Sequence, residues 1–247
     1  MSGEIPRLRM FAGPNGSGKS TLKMVLPREL LGVYLNPDEM ELEMRAKGIL
    51  DLHEYRVAIT DPETKAFFCH SAFVSDDEFR RFADSVTISE DRLRFDPEAV
   101  NSYVASATAD LFRQHLLETR TTFTLETVMS HPSKVKLLEQ AQRFGYRTYL
   151  YFIATDDPEI NISRVKARVQ RGGHPVPENK IAKRYYASLD LLIQAIRHSN
   201  RAYVFDNSGE GQERTWLAEI TDGRELVMKT DQMPAWFKHA VWDRISA

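Results

Sequence analysis

The chain is poor in everything that marks a secreted, fibrous or membrane-embedded protein. It has one cysteine, Cys69, in 247 residues. No intrachain disulfide can form, and the thiol reads as a small packing residue suited to a reducing compartment. The longest uninterrupted apolar run is Tyr149 to Ala154, far short of the roughly 20 residues that cross a bilayer. The opening M-S-G-E-I-P-R-L-R-M lacks the apolar stretch of a secretory signal. A cytoplasmic location and no membrane partner are therefore expected. Charge of one sign is missing too. Lys and Arg number 33 against 35 Asp and Glu, for a net charge of −2; with no basic run, this argues against a nucleic-acid partner. The 12 Gly and 11 Pro show no period, and 42% of residues are hydrophobic, which excludes collagenous and wholly disordered chains.

What is present is an alternation of strands and helices. Short apolar, β-branched or aromatic runs start at Leu8, Val33, Thr121, Tyr146 and Ala202. Between them lie helical patterns: Leu22, Val25, Leu26 and Leu30 at spacings of three and four, then Pro97 to about Glu118, Pro132 to Phe144, Pro158 to about Arg171, and Glu178 to Arg197. Such alternation predicts parallel crossovers and an α/β fold, a mostly parallel five-stranded sheet flanked by helices. Tyr146 to Ala154 is apolar enough to be buried on both faces. Two segments stand outside the alternation. Residues 51–96 read as an insert, with a short helix around Asp76 to Ala83 and a hairpin from Val86 to Phe95. Residues 209–247 read as a hairpin turning at Asp222-Gly223 and a closing helix, with Trp216, Trp236, Phe237 and Trp242 to dock it. The expected organisation is one domain over 1–247, its core at 8–50 and 97–208.

The strongest chemical signal is Gly13-Pro14-Asn15-Gly16-Ser17-Gly18-Lys19-Ser20-Thr21, a full G-x-x-x-x-G-K-S phosphate loop between a strand and a helical pattern. A triphosphate can be wrapped by successive backbone N–H groups only where no Cβ intrudes; Gly13, Gly16 and Gly18 supply that space. Lys19 supplies a mobile cation for the outer phosphates, and the Ser20 hydroxyl is a ligand for Mg²⁺. A chance match is on the order of one in a hundred for a chain of this composition, and the strand-to-helix context lowers it further.

Other candidates lie at strand ends, where ligands of doubly wound sheets sit. Asn36-Pro37-Asp38-Glu39 starts a helix, with Asn36 as cap and Pro37 in its first turn. The same geometry aims Asp38 at the crevice as a base for an acceptor hydroxyl, ahead of Glu39. Glu126, at the end of Thr122 to Thr127, can hold a magnesium water or grip a substrate hydroxyl, with Ser130 and His131 on the same rim. Arg164, Arg168 and Arg171 share one helical face, followed by the Gly172-Gly173 break and by Arg184. Arginines that fold over the γ-phosphate form a lid that neutralises charge and excludes water; Arg168, Arg184 and Arg171 are the candidates. His174 shapes the turn.

Together G-P-N-G-S-G-K-S-T, N-P-D-E, F-T-L-E-T, R-V-x-x-R-V, G-G-H-P-V-P, R-Y-Y-A-S-L and F-D-N-S resemble the zeta-toxin family of P-loop kinases over about residues 8–50 and 97–208. The resemblance implies a P-loop NTPase fold, ATP or GTP as donor with Mg²⁺, and phosphorylation of a sugar hydroxyl of UDP-N-acetylglucosamine. It also implies restraint by a small antitoxin protein. In this sequence Lys19 matches the phosphate-loop lysine, Asp38 the base and Glu126 the acidic residue after the third strand, with the lid among Arg168, Arg171 and Arg184. Thr127-Val128 stands where better-known members carry Gly-Thr. The expected activity is a small-metabolite kinase. The alternatives are a nucleotide-binding regulatory module with little turnover and a kinase for another small molecule or a polynucleotide end.

Overall fold

The computed structural model describes residues 4–24, 26–70, 77–173, 175–209 and 214–245, with backbone alone at 78–80. The strands are β1 (Arg7–Ala12), β2 (Val33–Leu35), β3 (Ile49–Asp51), β4 (Thr87–Ser89), β5 (Arg92–Arg94), β6 (Phe123–Thr127), β7 (Arg147–Ala154), β8 (Arg201–Asp206), β9 (Thr215–Thr221) and β10 (Glu225–Met228). The helices are α1 (Arg28–Leu31), α2 (Pro37–Lys47), α3 (Asp61–Cys69), α4 (Asp77–Ser85), α5 (Ser102–Glu118), α6 (Pro132–Arg143), α7 (Pro158–Gln170) and α8 (Glu178–Arg197). Two compact units result, one of Met1–Leu31 with Thr124–Ala247, the other of Gly32–Phe123. Among the described residues no helix is long and apolar enough to cross a membrane.

In the first unit the strands follow the order β10-β9-β8-β7-β1-β6. β1, β7 and β8 are parallel, with Ala12 opposite Phe152 and Ala154 opposite Asp206. Their carboxyl ends therefore align at one edge. The expected terminal hairpin forms, turning at Asp222 and Gly223, both at positive φ (49° and 68°). β9 pairs antiparallel with β8, so the hairpin extends the same sheet. The closing segment is α-helical at Ala235–Phe237, π-helical at Lys238–Trp242 and α-helical again at Asp243–Ile245. It buries Trp236 and Phe237 and leaves Trp242 largely exposed. The core runs through Leu8, Met10, Leu150, Phe152, Val204, Leu192 and Ile196. β7 is not buried on both faces. Tyr149 and Tyr151 are only half-buried, because that face is built of rings lying flat on one another, Tyr151 stacking on Tyr203 at 4.8 Å, with the Arg9 guanidinium over Tyr149.

The second unit holds α2 to α5 and a small antiparallel sheet ordered β3-β5-β4. The hairpin β4–β5 stands where the sequence places it, turning at Glu90 and Asp91 with φ near +53°. β3 and α3 are additions. A capping box at Thr60 and Glu63 starts α3, and Cys69 at its end is exposed rather than packed. The long helix expected from Pro97 is two pieces. Asp96 caps a 3-10 turn at Pro97–Ala99, and the Asn101 side chain accepts from the Tyr103 and Val104 N–H groups to start α5 afresh. Phe68, Phe82 and Phe95 form the aromatic centre, with Phe68 and Phe82 edge to face at 5.3 Å.

Because Phe237 is fully buried, Phe237→Ala should lower the unfolding free energy by about 3–5 kcal/mol. Trp242→Ala, at a largely exposed position, should cost well under half as much. Urea unfolding followed by far-UV circular dichroism checks both; equal losses would mean that the closing segment is not packed as described.

Candidate functional site: a phosphate loop at the ends of parallel strands

The loop leaves β1 at Gly13 and passes against β7 and α7 so closely that its glycines have no substitute. Gly13 has φ of 142°, and a Cβ there would lie 2.0 Å from the Ile153 carbonyl oxygen. Gly16 has φ of 75°, and its Cβ would lie 2.6 Å from the Asn161 carbonyl oxygen. Both obstacles are backbone, so neither can move aside. Inside the loop Ser17 N–H donates to the Pro14 carbonyl at 3.3 Å, and Thr21 N–H to the Gly18 carbonyl at 3.1 Å.

Lys19 is buried, and its ammonium donates to the Pro14 carbonyl at 2.8 Å. The cation is thus folded back over its own loop. Ser17 is fully buried, and its hydroxyl has no hydrogen-bond partner among the described residues. A donor buried without an acceptor costs free energy unless a ligand completes it, so Ser17 fits an anion in this cradle. Ser20 Oγ donates to Glu126 Oε1 at 2.9 Å. The β6 carboxylate and the loop hydroxyl foreseen as magnesium ligands therefore meet, although they are 106 residues apart. No cluster of three or more His, Cys, Asp or Glu suited to a metal exists among the described residues. An oxygen pair of this kind fits Mg²⁺, which keeps several waters and takes its remaining ligands from phosphates.

The segment after the loop differs from expectation. Lys19–Met24 is a 3-10 helix, and α1 is one short turn beyond Pro27. Proline donates no N–H and holds the preceding residue away from the α region. The helix-dipole contribution at the loop is correspondingly small. Val25 lies outside the described residues.

A second row of residues, not foreseen as functional, braces the loop. Asn161 on α7 is fully buried. Its Nδ2 donates to the Asn15 carbonyl at 2.6 Å, while its Oδ1 accepts from the Thr155 hydroxyl. Asn207, just past β8, donates through Nδ2 to the Ser17 carbonyl at 2.8 Å. Arg164 donates to the carbonyls of Asn207 (2.7 Å) and Gly209 (3.0 Å), which ties it to this brace and away from a lid. Asp206 accepts from the Trp236 indole N–H at 2.8 Å and from the Ser208 hydroxyl at 2.8 Å. Tyr185 OH donates to the Thr155 carbonyl at 2.6 Å, and burial pushes its phenol well above the ordinary range. The only sequence signal for Asn161 is a polar residue on the apolar stripe of α7 beside Ile162 and Val165.

The remaining candidates are spread out. Arg168 is exposed in the last turn of α7, and Arg171 caps the helix. Arg184 is half-buried on α8. A Cβ on Gly173 would lie 2.7 Å from Arg168 Cγ, so this glycine makes room for that side chain. His174 lies outside the described residues. His131 caps α6, accepting at Nδ1 from the Ser133 N–H. Asp38 belongs to the second unit, exposed in the first turn of α2, with its N–H bonded to Asn36 Oδ1 at 3.0 Å; Glu39 beside it is also exposed.

Asn161→Ala removes a buried bracket and leaves the Asn15 carbonyl without its donor. It should lower stability by roughly 1–3 kcal/mol and weaken nucleotide binding, read by urea unfolding and by calorimetry on one preparation. Unchanged values for both would mean that the amide does not hold the loop.

Comparison with known proteins places this geometry. A family model described as an AAA domain matches residues 8–192, well over half of the chain. The structure of AvrRxo1-ORF1 with AvrRxo1-ORF2 and sulphate ions aligns over 99% of this chain and 65% of that one, with a TM-score of 0.58 and 16% identity. The AvrRxo1-ORF1 and -ORF2 complex with ATP aligns over 99% and 64%, with a TM-score of 0.52 and 14% identity. An uncharacterized protein of Haemophilus influenzae is 35% identical over 63 residues, 26% of this chain and 45% of that protein. The chain thus spans less than two thirds of the length of each of these three proteins. The P-loop α/β fold expected from the motifs agrees with the family match and with the fold shared with these structures. The chain belongs to the family described as an AAA domain.

Proposed function

We propose that the protein is a kinase that moves the γ-phosphoryl group of ATP or GTP onto a hydroxyl of a small metabolite. The observation that carries this reading is the meeting of Ser20 Oγ with Glu126 Oε1 beside the buried Lys19. A carboxylate at that point can hold the magnesium of a bound nucleoside triphosphate, the metal that phosphoryl transfer requires. The fold neighbour solved with ATP favours ATP as the donor.

In this reading Gly13 to Thr21 holds the phosphates through its N–H groups, the Ser17 hydroxyl and Lys19. Lys19 leaves the Pro14 carbonyl to do so. Ser20 and Glu126 would hold Mg²⁺, which when bound neutralises charge on the outer phosphates. Asp38 accepts the proton of the acceptor hydroxyl as its oxygen bonds to the γ-phosphorus and the bond from that phosphorus to the β–γ bridging oxygen breaks. Arg168, Arg171 and Arg184 supply the lid. The leading acceptor is UDP-N-acetylglucosamine. The Thr127-Val128 pair after Glu126 sits where the acceptor pocket would differ from that of the better-known toxins. A cytoplasmic site of action fits such a substrate. An antitoxin protein as partner is supported by the fold neighbour, itself solved as a complex with a second protein.

Incubation with MgATP and UDP-N-acetylglucosamine should add one phosphoryl group to the sugar nucleotide, read by mass spectrometry. Asp38→Asn should cut turnover by roughly 10²–10⁴-fold with ATP binding retained. Full turnover in that variant would remove Asp38 from the mechanism. Tight ATP binding with no acceptor labelled in a bacterial metabolite pool would favour the regulatory-module reading instead.

A further inference from the structure

A cation that the motifs do not include lies on the phosphate loop. Arg214 Nη1 donates to Thr21 Oγ1 at 2.6 Å, and that hydroxyl donates onward to the Gly18 carbonyl at 2.8 Å. Arg214 is half-buried and Thr21 exposed. Among the described residues no carboxylate pairs with Arg214. Its place is set by the sheet. Thr215, the first residue of β9, is opposite Asp206, the last of β8, and Asp206 is fixed by the Trp236 indole and by Ser208. Arg214 therefore emerges at the strand ends where Asn207 and Gly18 also meet.

One bond to a neutral, exposed hydroxyl is poor use of a guanidinium, which has five donors in a planar fork that matches phosphate oxygens. A guanidinium with no carboxylate partner among the described residues, bonded to Thr21 next to Lys19-Ser20, fits an anionic partner that arrives from solution. We propose that Arg214 is a nucleotide-phosphate ligand, so that the C-terminal extension contributes a binding residue to the site. This rests on reading the loop as a nucleoside-triphosphate cradle.

The test is isothermal calorimetry of MgATP, at two salt concentrations, with the full chain and the variants R214Q, R214K and K19A. R214Q keeps a donor for Thr21 and loses the charge. It should weaken ATP binding by roughly 10- to 100-fold, the worth of a charge-assisted hydrogen bond. It should also flatten the salt dependence, which a bracing role through Thr21 would leave unchanged. R214K, with the charge but not the fork, should fall between R214Q and the parent and guards against a fold defect in R214Q. If R214Q and R214K both bind like the parent while K19A is weakened, Arg214 is no ligand although the cradle stands. If the parent binds no ATP, or K19A binds as the parent does, the cradle reading falls and this inference with it.

Discussion

At Gly13 the chain runs so close to β7 that a methyl group in place of the glycine hydrogen would lie 2.0 Å from the Ile153 carbonyl oxygen. This contact is possible only because β1 and β7 are parallel neighbours that end together, Ala12 beside Phe152. The loop is therefore a continuation of the sheet. Its next turn is set by α7, since Gly16 approaches the Asn161 backbone in the same way. Two glycine contacts thus couple the shape of the cradle to the two elements that follow each other in the chain, β7 and α7.

Steric fit alone would leave the loop's own carbonyls unpaired, and buried carbonyls need donors. Asparagines meet this need at Asn15 and Ser17, and the Lys19 ammonium does so at Pro14. The three donors differ in what they are free to do. Asn161 is locked on its other side by Thr155, and the loop ahead of Asn207 is clamped by Arg164. Lys19 donates to a neutral acceptor, the Pro14 carbonyl. A neutral carbonyl competes poorly with phosphate for a cation, because charge-assisted bonds are roughly twice as strong as neutral ones. The frame is fixed by amides and the exchangeable contact is left to the lysine.

What the sequence made legible was local. The phosphate loop is a contiguous motif, Asn36 announces its helix as a capping residue, and α8 keeps the bounds that its periodicity implies. Asp222-Gly223 marks its own hairpin. The misses came where a distant residue or one overlooked proline decides. Pro27 ends the segment after Lys19, because the ring removes the N–H that a continuing helix needs. Asn101 restarts a helix that the pattern alone runs together from Pro97. That β9 would join β8 could not be read from either strand, since edge pairing is a property of the partner. Nor could the tyrosines of β7 be seen as a half-open aromatic face, because their neighbours Arg9 and Tyr203 come from strands far away in sequence.

The same logic bears on where function collects in this fold. Parallel strands deliver their ends to one edge, and each end contributes one kind of group: glycine amides after β1, a carboxylate in β6, a bracing amide after β8. The antiparallel β9 enters the sheet at that edge instead of leaving it, so residues before β9 reach the site while residues after it do not. An extension added as a parallel strand would have needed a crossover to begin at the opposite edge. Antiparallel addition is thus the shorter route by which a terminal segment can place a side chain beside a phosphate loop, and Trp236 on Asp206 fixes the strand end from which it does so.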